Sequence, residues 1–194
     1  MRYNNLSIGL FGGSFNPAHA GHMHLARTAQ NSLQLDEIWW LVSPQNPLKP
    51  KQPSYEARAA TVAALGLPRG MKIAHLERDF GTQYTIDLIR RAKIRYPKNR
   101  FVFLMGADNF AQLPKWRDWR GIIETVPIGV IARPEKSGKI DFSPRLGQAA
   151  KLYRYASIPE SASHILADCP APAWTYITAP LNRQSSSAIR ALKR

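Results

Sequence analysis

Apolar residues along this chain fall into short continuous runs, separated by longer stretches in which they recur every three or four positions. The runs Ser7–Phe11, Glu37–Val42, Met71–Leu76, Arg100–Met105, Ile128–Ala132 and Trp174–Thr178 are five or six residues long and are bounded by turn residues. They read as buried strands. Helical periodicity lies between most of them. It covers Gly21–Leu33, the alanine-rich Tyr55–Leu65, the short Trp119–Thr125, Leu146–Tyr155 and Ser187–Lys193. The last of these takes Ser185 or Ser186 as its N-cap. Thr85–Tyr96 sets Ile86, Leu88, Ile89, Ala92 and Ile94 along one broad stripe and is closed by Pro97.

Strands alternating with helices predict an α/β fold: a doubly wound, mainly parallel sheet with helices on both faces. In such sheets ligands bind beyond the C-terminal strand ends, where the strand order reverses. The first strand runs into Gly12-Gly13 and the fourth into Gly106-Ala107-Asp108, so these two ends are expected to flank a site. The proline-rich loop Ser43–Pro53 is expected to overhang it, and Arg133–Ser143 reads as a polar surface loop. At 194 residues, with no repeat or internal boundary, residues 1–194 are expected to form one domain.

Composition narrows the class only slightly. No apolar run is long enough to span a bilayer, and the short apolar run at the start leads straight into glycines, unlike a signal peptide. Cys169 is the single cysteine, which excludes an internal disulfide and a CxxC zinc pair. A cytoplasmic location is the default. The net charge of +14 changes the picture more, because it draws the protein toward polyanions, with nucleotides and nucleic acid both candidates. The densest basic cluster, Arg90 to Arg100, alternates with Leu88, Ile89 and Ile94 and reads as a solvated helix face. No helix-turn-helix or aromatic RNA-reading motif accompanies the charge, so nucleic acid is not expected as a partner.

Three constellations carry chemistry. The first is Phe11-Gly12-Gly13-Ser14-Phe15-Asn16-Pro17-Ala18-His19-Ala20-Gly21-His22, a glycine pair at a strand end followed by two histidines at a helix start. Glycines admit close approach to the backbone, and a helix N-terminus with imidazoles beside it suits a phosphate. It is neither a GxGxxG fingerprint nor a P-loop. A metal site built with His24 is the alternative, but His22 and His24 point to different sides of a helix and no Cys, Asp or Glu lies near enough to complete it. The second is Ser185-Ser186-Ser187-Ala188-Ile189-Arg190, which reads either as a serine cap on a basic tail or as hydroxyls and a guanidinium fork for phosphate oxygens. The third joins Gly106-Ala107-Asp108-Asn109 to Pro114-Lys115-Trp116. Asp108 suits a ribose hydroxyl, a metal-bound water or a helix N-cap, while Trp116 and Trp119 suit either the core or stacking on a heteroaromatic ring.

These pieces, in this order, resemble the bacterial nicotinate-nucleotide adenylyltransferases, within the HxGH nucleotidylyltransferase superfamily. The resemblance runs over almost the whole chain. It also takes in Ser43-Pro44-Gln45-Asn46-Pro47-Leu48-Lys49 and Gln83-Tyr84-Thr85-Ile86-Asp87. It departs from the usual pattern at Asn16, where Asp is common, at Ser14, where Thr is common, and in a shortened Pro44–Lys49 loop with Leu48 where His is frequent.

The resemblance implies the Rossmann-like nucleotidylyltransferase fold and transfer of AMP from ATP to nicotinate mononucleotide, releasing pyrophosphate. It implies that His19, His22, Ser185, Ser186, Ser187 and Arg190 hold the ATP phosphates. Gly12, Gly13, Ser14, Gly106 and Asp108 would line the nucleotide. Asn46 and Lys49 would meet the phosphate of the mononucleotide, and Tyr84, Thr85 and Trp116 its pyridine ring and carboxylate. Mg²⁺ is expected on the ATP phosphates, ligated mainly by water. The partners expected are therefore ATP and nicotinate mononucleotide.

Overall fold

A computed structural model of the chain describes residues 5–44, 52–132, 147–178 and 186–191. Seven strands form one sheet: β1 (Ser7–Gly13), β2 (Glu37–Val42), β3 (Met71–Ile73), β4 (Arg100–Gly106), β5 (Ile128–Ile131), β6 (Ser157–Ile158) and β7 (Trp174–Ile177). Their order is β3-β2-β1-β4-β5-β7-β6 and every pairing is parallel. The helices are α1 (Ala20–Ser32), α2 (Tyr55–Ala63), α3 (Leu76–Asp79), α4 (Thr85–Arg95), α5 (Ala107–Gln112), α6 (Trp119–Thr125), α7 (Gln148–Leu152) and α8 (Ser186–Ala191), with 3₁₀ turns at Leu113–Lys115, Arg154–Ala156 and Glu160–Asp168. Among the described residues no helix is long and apolar enough to cross a membrane.

The continuous apolar runs are explained by burial on both faces of a parallel sheet. Alternate residues of each strand enter two separate cores. Ile8, Leu10, Trp39, Leu41, Phe101, Phe103 and Met105 pack with Ile86 and Ile89 of α4, Phe110 of α5 and Ile122 of α6. Phe11, Ile38, Trp40, Val42, Val102 and Leu104 pack with Leu25, Ala26 and Ala29 of α1, Val62 of α2 and Leu166 of the long 3₁₀ turn. The chain proceeds from β1 outward to β2 and β3, then returns to lay β4 on the other side of β1. The strand order therefore reverses between β1 and β4, the two strands expected to flank the site.

Several expectations need correcting. The third strand stops at Ile73, and Leu76, read as its last position, opens α3 instead. At that length a strand and a single helical turn are not separable by periodicity. Ile94 does not join the α4 stripe and is 78 % exposed. Two residues past the buried Ala92, it has turned about 200° round the helix. The stretch read as one helix from Leu146 to Tyr155 is α7 followed by a 3₁₀ turn, with Leu146 outside the described residues. The two-residue β6 was not expected, since a pair of residues shows no alternation. Residues 45–51 of the loop expected at Ser43–Pro53, and the whole of the loop expected at Arg133–Ser143, lie outside the described residues.

The basic face of α4 is engaged with its neighbours. Arg90 pairs with Asp118 at 2.9 Å, Arg91 donates to the Phe80 carbonyl and Lys93 donates to the Thr125 carbonyl at 2.8 Å. These exposed contacts add little stability individually.

Candidate active site

The first strand extends through the glycine pair, with Gly13 opposite Val42, before the chain turns toward α1. Phe15 folds back at φ 45, and a Cβ on Gly13 would lie 2.8 Å from its ring, so Gly13 is required by the protein's own packing. Gly12 is different. A Cβ there would make an ordinary 3.5 Å contact with Phe103, so the fold does not demand glycine at that position.

The two histidines start α1 as a reciprocal cap. His19 Nδ1 accepts from the Gly21 N–H at 3.1 Å, and His22 Nδ1 accepts from the His19 N–H at 3.3 Å. Both rings are buried, their centroids are 3.9 Å apart, and the Phe15 ring meets His22 edge-on at 5.2 Å. A ring that accepts at Nδ1 carries its proton on Nε2, so the cap fixes both tautomers as Nε2–H donors. Histidine is an uncommon N-cap, so residue type alone gives little sign of this cap.

The second motif is brought onto this corner from the far end of the chain. Ser186 Oγ donates to the Pro17 carbonyl at 2.9 Å, and Arg190 donates to the Asn16 carbonyl. Ser186 was expected as a possible cap for the last helix. It is instead the first helical residue, with its hydroxyl turned to the loop. Ser185 and the side chain of Ser187 lie outside the described residues.

Helix α2 holds the same loop from another side. Arg58, only 1 % exposed, donates to the Pro53 carbonyl at 3.0 Å, to the Ser14 carbonyl at 2.8 Å and to the Pro44 carbonyl. One turn on, Thr61 accepts from the Ala18 N–H at 3.0 Å. Burial pushes the Arg58 guanidinium below its ordinary value, with Glu77 acting in the opposite direction. Sequence reading missed Arg58. The available signal was its place four residues before Val62, on the face of α2 that is buried.

Next to the corner, at the C-terminal ends of β1, β2 and β4, lies a cavity of about 430 Å³. Gly12, Gly13, Ser14, Tyr84, Thr85 and Trp116 all line it, as do Ser43, Glu77, Asn109, Lys115 and Arg117. Trp116 is half-buried and stands edge-on to Phe103 at 6.3 Å, whereas Trp119 is a core residue. Arg117 lies over the Tyr84 ring at 4.3 Å. Tyr84 is the N-cap residue of α4 and makes no side-chain cap, so the first turn of α4, beginning at Thr85, opens on the cavity.

Glu77, also missed by sequence reading, is buried, with Oε2 lacking a hydrogen-bond partner. Burial raises its carboxyl from the ordinary 4.5 to about 8, against the opposing pull of Arg58. Gly106 ends β4 and takes the N-cap position of α5, while Asp108 sits exposed in that helix's first turn. The cap expected of Asp108 therefore belongs to Gly106. Asn46 and Lys49 lie outside the described residues. Among the described residues, no group of three or more His, Cys, Asp or Glu side chains is placed to hold a metal ion.

The cytidylyltransferase-like family model matches residues 10–192. A probable nicotinate-nucleotide adenylyltransferase from Caulobacter sp. (strain K31) is 48 % identical over 190 residues, covering 95 % of this chain and 97 % of the relative. One from Ruegeria sp. (strain TM1040) is 42 % identical over 187 residues, covering 95 % and 96 %. Among solved structures, Plasmodium falciparum nicotinic acid mononucleotide adenylyltransferase complexed with APC superposes with a TM-score of 0.70 at 19 % identity, over 96 % of this chain and 83 % of the other, and so shares the fold. On the extent of these matches, the chain belongs to the cytidylyltransferase-like family and, within it, to the nicotinate-nucleotide adenylyltransferases.

Proposed function

We propose that this protein joins the AMP moiety of ATP to nicotinate mononucleotide, forming nicotinate adenine dinucleotide and releasing pyrophosphate. The observation that carries the reading is the meeting of two unlike surfaces at the C-terminal end of the sheet. One is a corner of imidazole, hydroxyl and guanidinium groups from residues 19, 22, 186 and 190. The other is an aromatic cavity holding Tyr84, Thr85 and Trp116. The first suits a triphosphate, and the second suits a flat ring with a charged substituent.

His22 contacts the α-phosphate as negative charge develops there, using its Nε2–H. His19 and Arg190 hold the remaining phosphates, with Ser185, Ser186 and Ser187 beside them. Gly12, Gly13, Ser14, Gly106 and Asp108 line the nucleotide, and the absence of a side chain at Gly12 lets it approach the end of β1. Trp116 stacks on the pyridine ring, while Thr85 and the open first turn of α4 receive its carboxylate. Asn46 and Lys49 meet the phosphate of the mononucleotide.

The attacking group is that phosphate. With a second pKa of about 6 it is dianionic at neutral pH and needs no general base. What remains is to bring two polyanions into line and to stabilise departing pyrophosphate, which positioning and fixed positive potential accomplish. Mg²⁺ enters on ATP as part of the substrate and offsets phosphate charge. The test is pyrophosphate release with ATP, Mg²⁺ and, in turn, nicotinate mononucleotide, nicotinamide mononucleotide and phosphopantetheine. Fastest release with the first is expected. Release only with another acceptor would reassign the substrate, and none with any would remove the reading.

A further inference from the structure

One acidic side chain in the cavity wall has no task in the reaction as described. Glu77 is 8 % exposed, lines the cavity beside Tyr84, Thr85, Trp116 and Arg117, and leaves Oε2 buried without a partner. Ser43, just past the end of β2, lines the same cavity, and its Oγ is likewise buried and unpartnered. Orphaned buried polar atoms are uncommon in folded proteins and call for an explanation. Two that line one cavity point to a ligand supplying the missing hydrogen bonds.

We propose that Glu77 is a specificity-determining group of this cavity, giving its O–H to the carboxylate of an acidic pyridine mononucleotide and so favouring the acid over the corresponding amide. This rests on the adenylyltransferase reading. The burial that leaves Oε2 without water also keeps the carboxyl protonated through neutral pH. A protonated carboxyl is a donor, and a bound carboxylate is a strong acceptor for it. Once Glu77 ionises, two carboxylates face each other and the acid is repelled, while an amide can still offer its N–H groups. Preference for the acid therefore depends on the Glu77 proton.

The charged and titratable groups around Glu77 come from several elements. Arg58 and Tyr55 belong to α2, Tyr84 and Asp87 to the head of α4, and Lys115 and Arg117 to the segment after α5. Arg91 of α4 and Arg78 of α3 stand on the adjoining groove that Glu77 also lines. On its own short helix Asp79 follows, with His75 just before it.

The experiment measures kcat/KM for nicotinate and nicotinamide mononucleotides, with ATP and Mg²⁺, between about pH 6 and pH 9.5. The acid-to-amide ratio cancels titration of the shared phosphate and of ATP. For the natural protein it should be flat below about pH 7 and fall toward tenfold per pH unit above about pH 8. Glu77→Gln keeps a donor that cannot ionise, so its ratio should not change with pH. Glu77→Leu should lower the ratio at neutral pH by about tenfold or more.

Calorimetry on the natural protein in buffers of different ionisation enthalpy needs no variant to fold. Near pH 8, binding the acid should take up roughly half a proton more than binding the amide. A pH-independent ratio in the natural protein, the same pH dependence in Glu77→Gln, or equal proton uptake for acid and amide would overturn the assignment while leaving the adenylyltransferase reading intact. Absence of pyrophosphate with either mononucleotide would remove that reading and this assignment together.

Discussion

On the proposed mechanism, His22 divides its ring between structure and chemistry. Nδ1 accepts the His19 N–H and starts α1, which places the proton on Nε2. His22→Ala should cost about 1 kcal/mol as a lost cap but lower turnover by about two to three orders of magnitude, as for loss of one transition-state donor. Urea unfolding and pyrophosphate release separate the two effects, and near-normal turnover would end its assigned role. Gly13→Ala drives a methyl into the Phe15 ring. It should destabilise by about 1–3 kcal/mol and displace the loop that carries both histidines, so stability and turnover should fall together. Glu77 makes a prediction of opposite sign. Its carboxyl titrates near 8 in the folded chain and at the ordinary 4.5 once unfolded. Between those values the folded state binds more protons, so stability falls as pH rises through that window. Glu77→Gln should therefore gain about 2–4 kcal/mol at pH 8 and nothing near pH 4.5, measured by urea unfolding at the two pH values.

At the scale of elements, α2 acts as a clamp. Arg58 ties the loop after β1 to the loop after β2, through the carbonyls of Ser14 and Pro44. Arg58→Met leaves three carbonyls without their donor. It should destabilise by about 3 kcal/mol or more and raise KM for both substrates, and stability that is unchanged in urea unfolding would count against the clamp. This element also shows where sequence reading reaches its limit. Strands β1, β2, β4 and β5 and helices α1, α4 and α6 were legible from periodicity, because each presents a full apolar run or stripe. Tyr84, Thr85 and Trp116 were grouped by the family resemblance, and the fold brings all three to the lining of one cavity. Arg58 and Glu77 were not, because a charge reads as a solvated position until tertiary structure buries it. Helix α3 and strand β6 were missed because elements of four and two residues carry no period to detect.

Across the whole molecule, a net charge of +14 meets two polyanionic substrates. Long-range attraction of this kind is screened by salt, so kcat/KM should fall about three- to tenfold between roughly 0.05 and 0.5 M salt. An unchanged value would mean that the charge acts only locally. The whole chain also shapes the phosphate corner, because Ser186 and Pro17, bonded there, stand 169 residues apart in sequence. During synthesis they leave the ribosome at widely separated times, about 10–30 s apart at ordinary elongation rates. The six strands from β2 to β7 emerge in that interval, so every strand of the sheet is made before the last of the groups proposed to grip a triphosphate. Chains truncated upstream of α8 should accordingly fold but stay catalytically silent, which urea unfolding and pyrophosphate release would check.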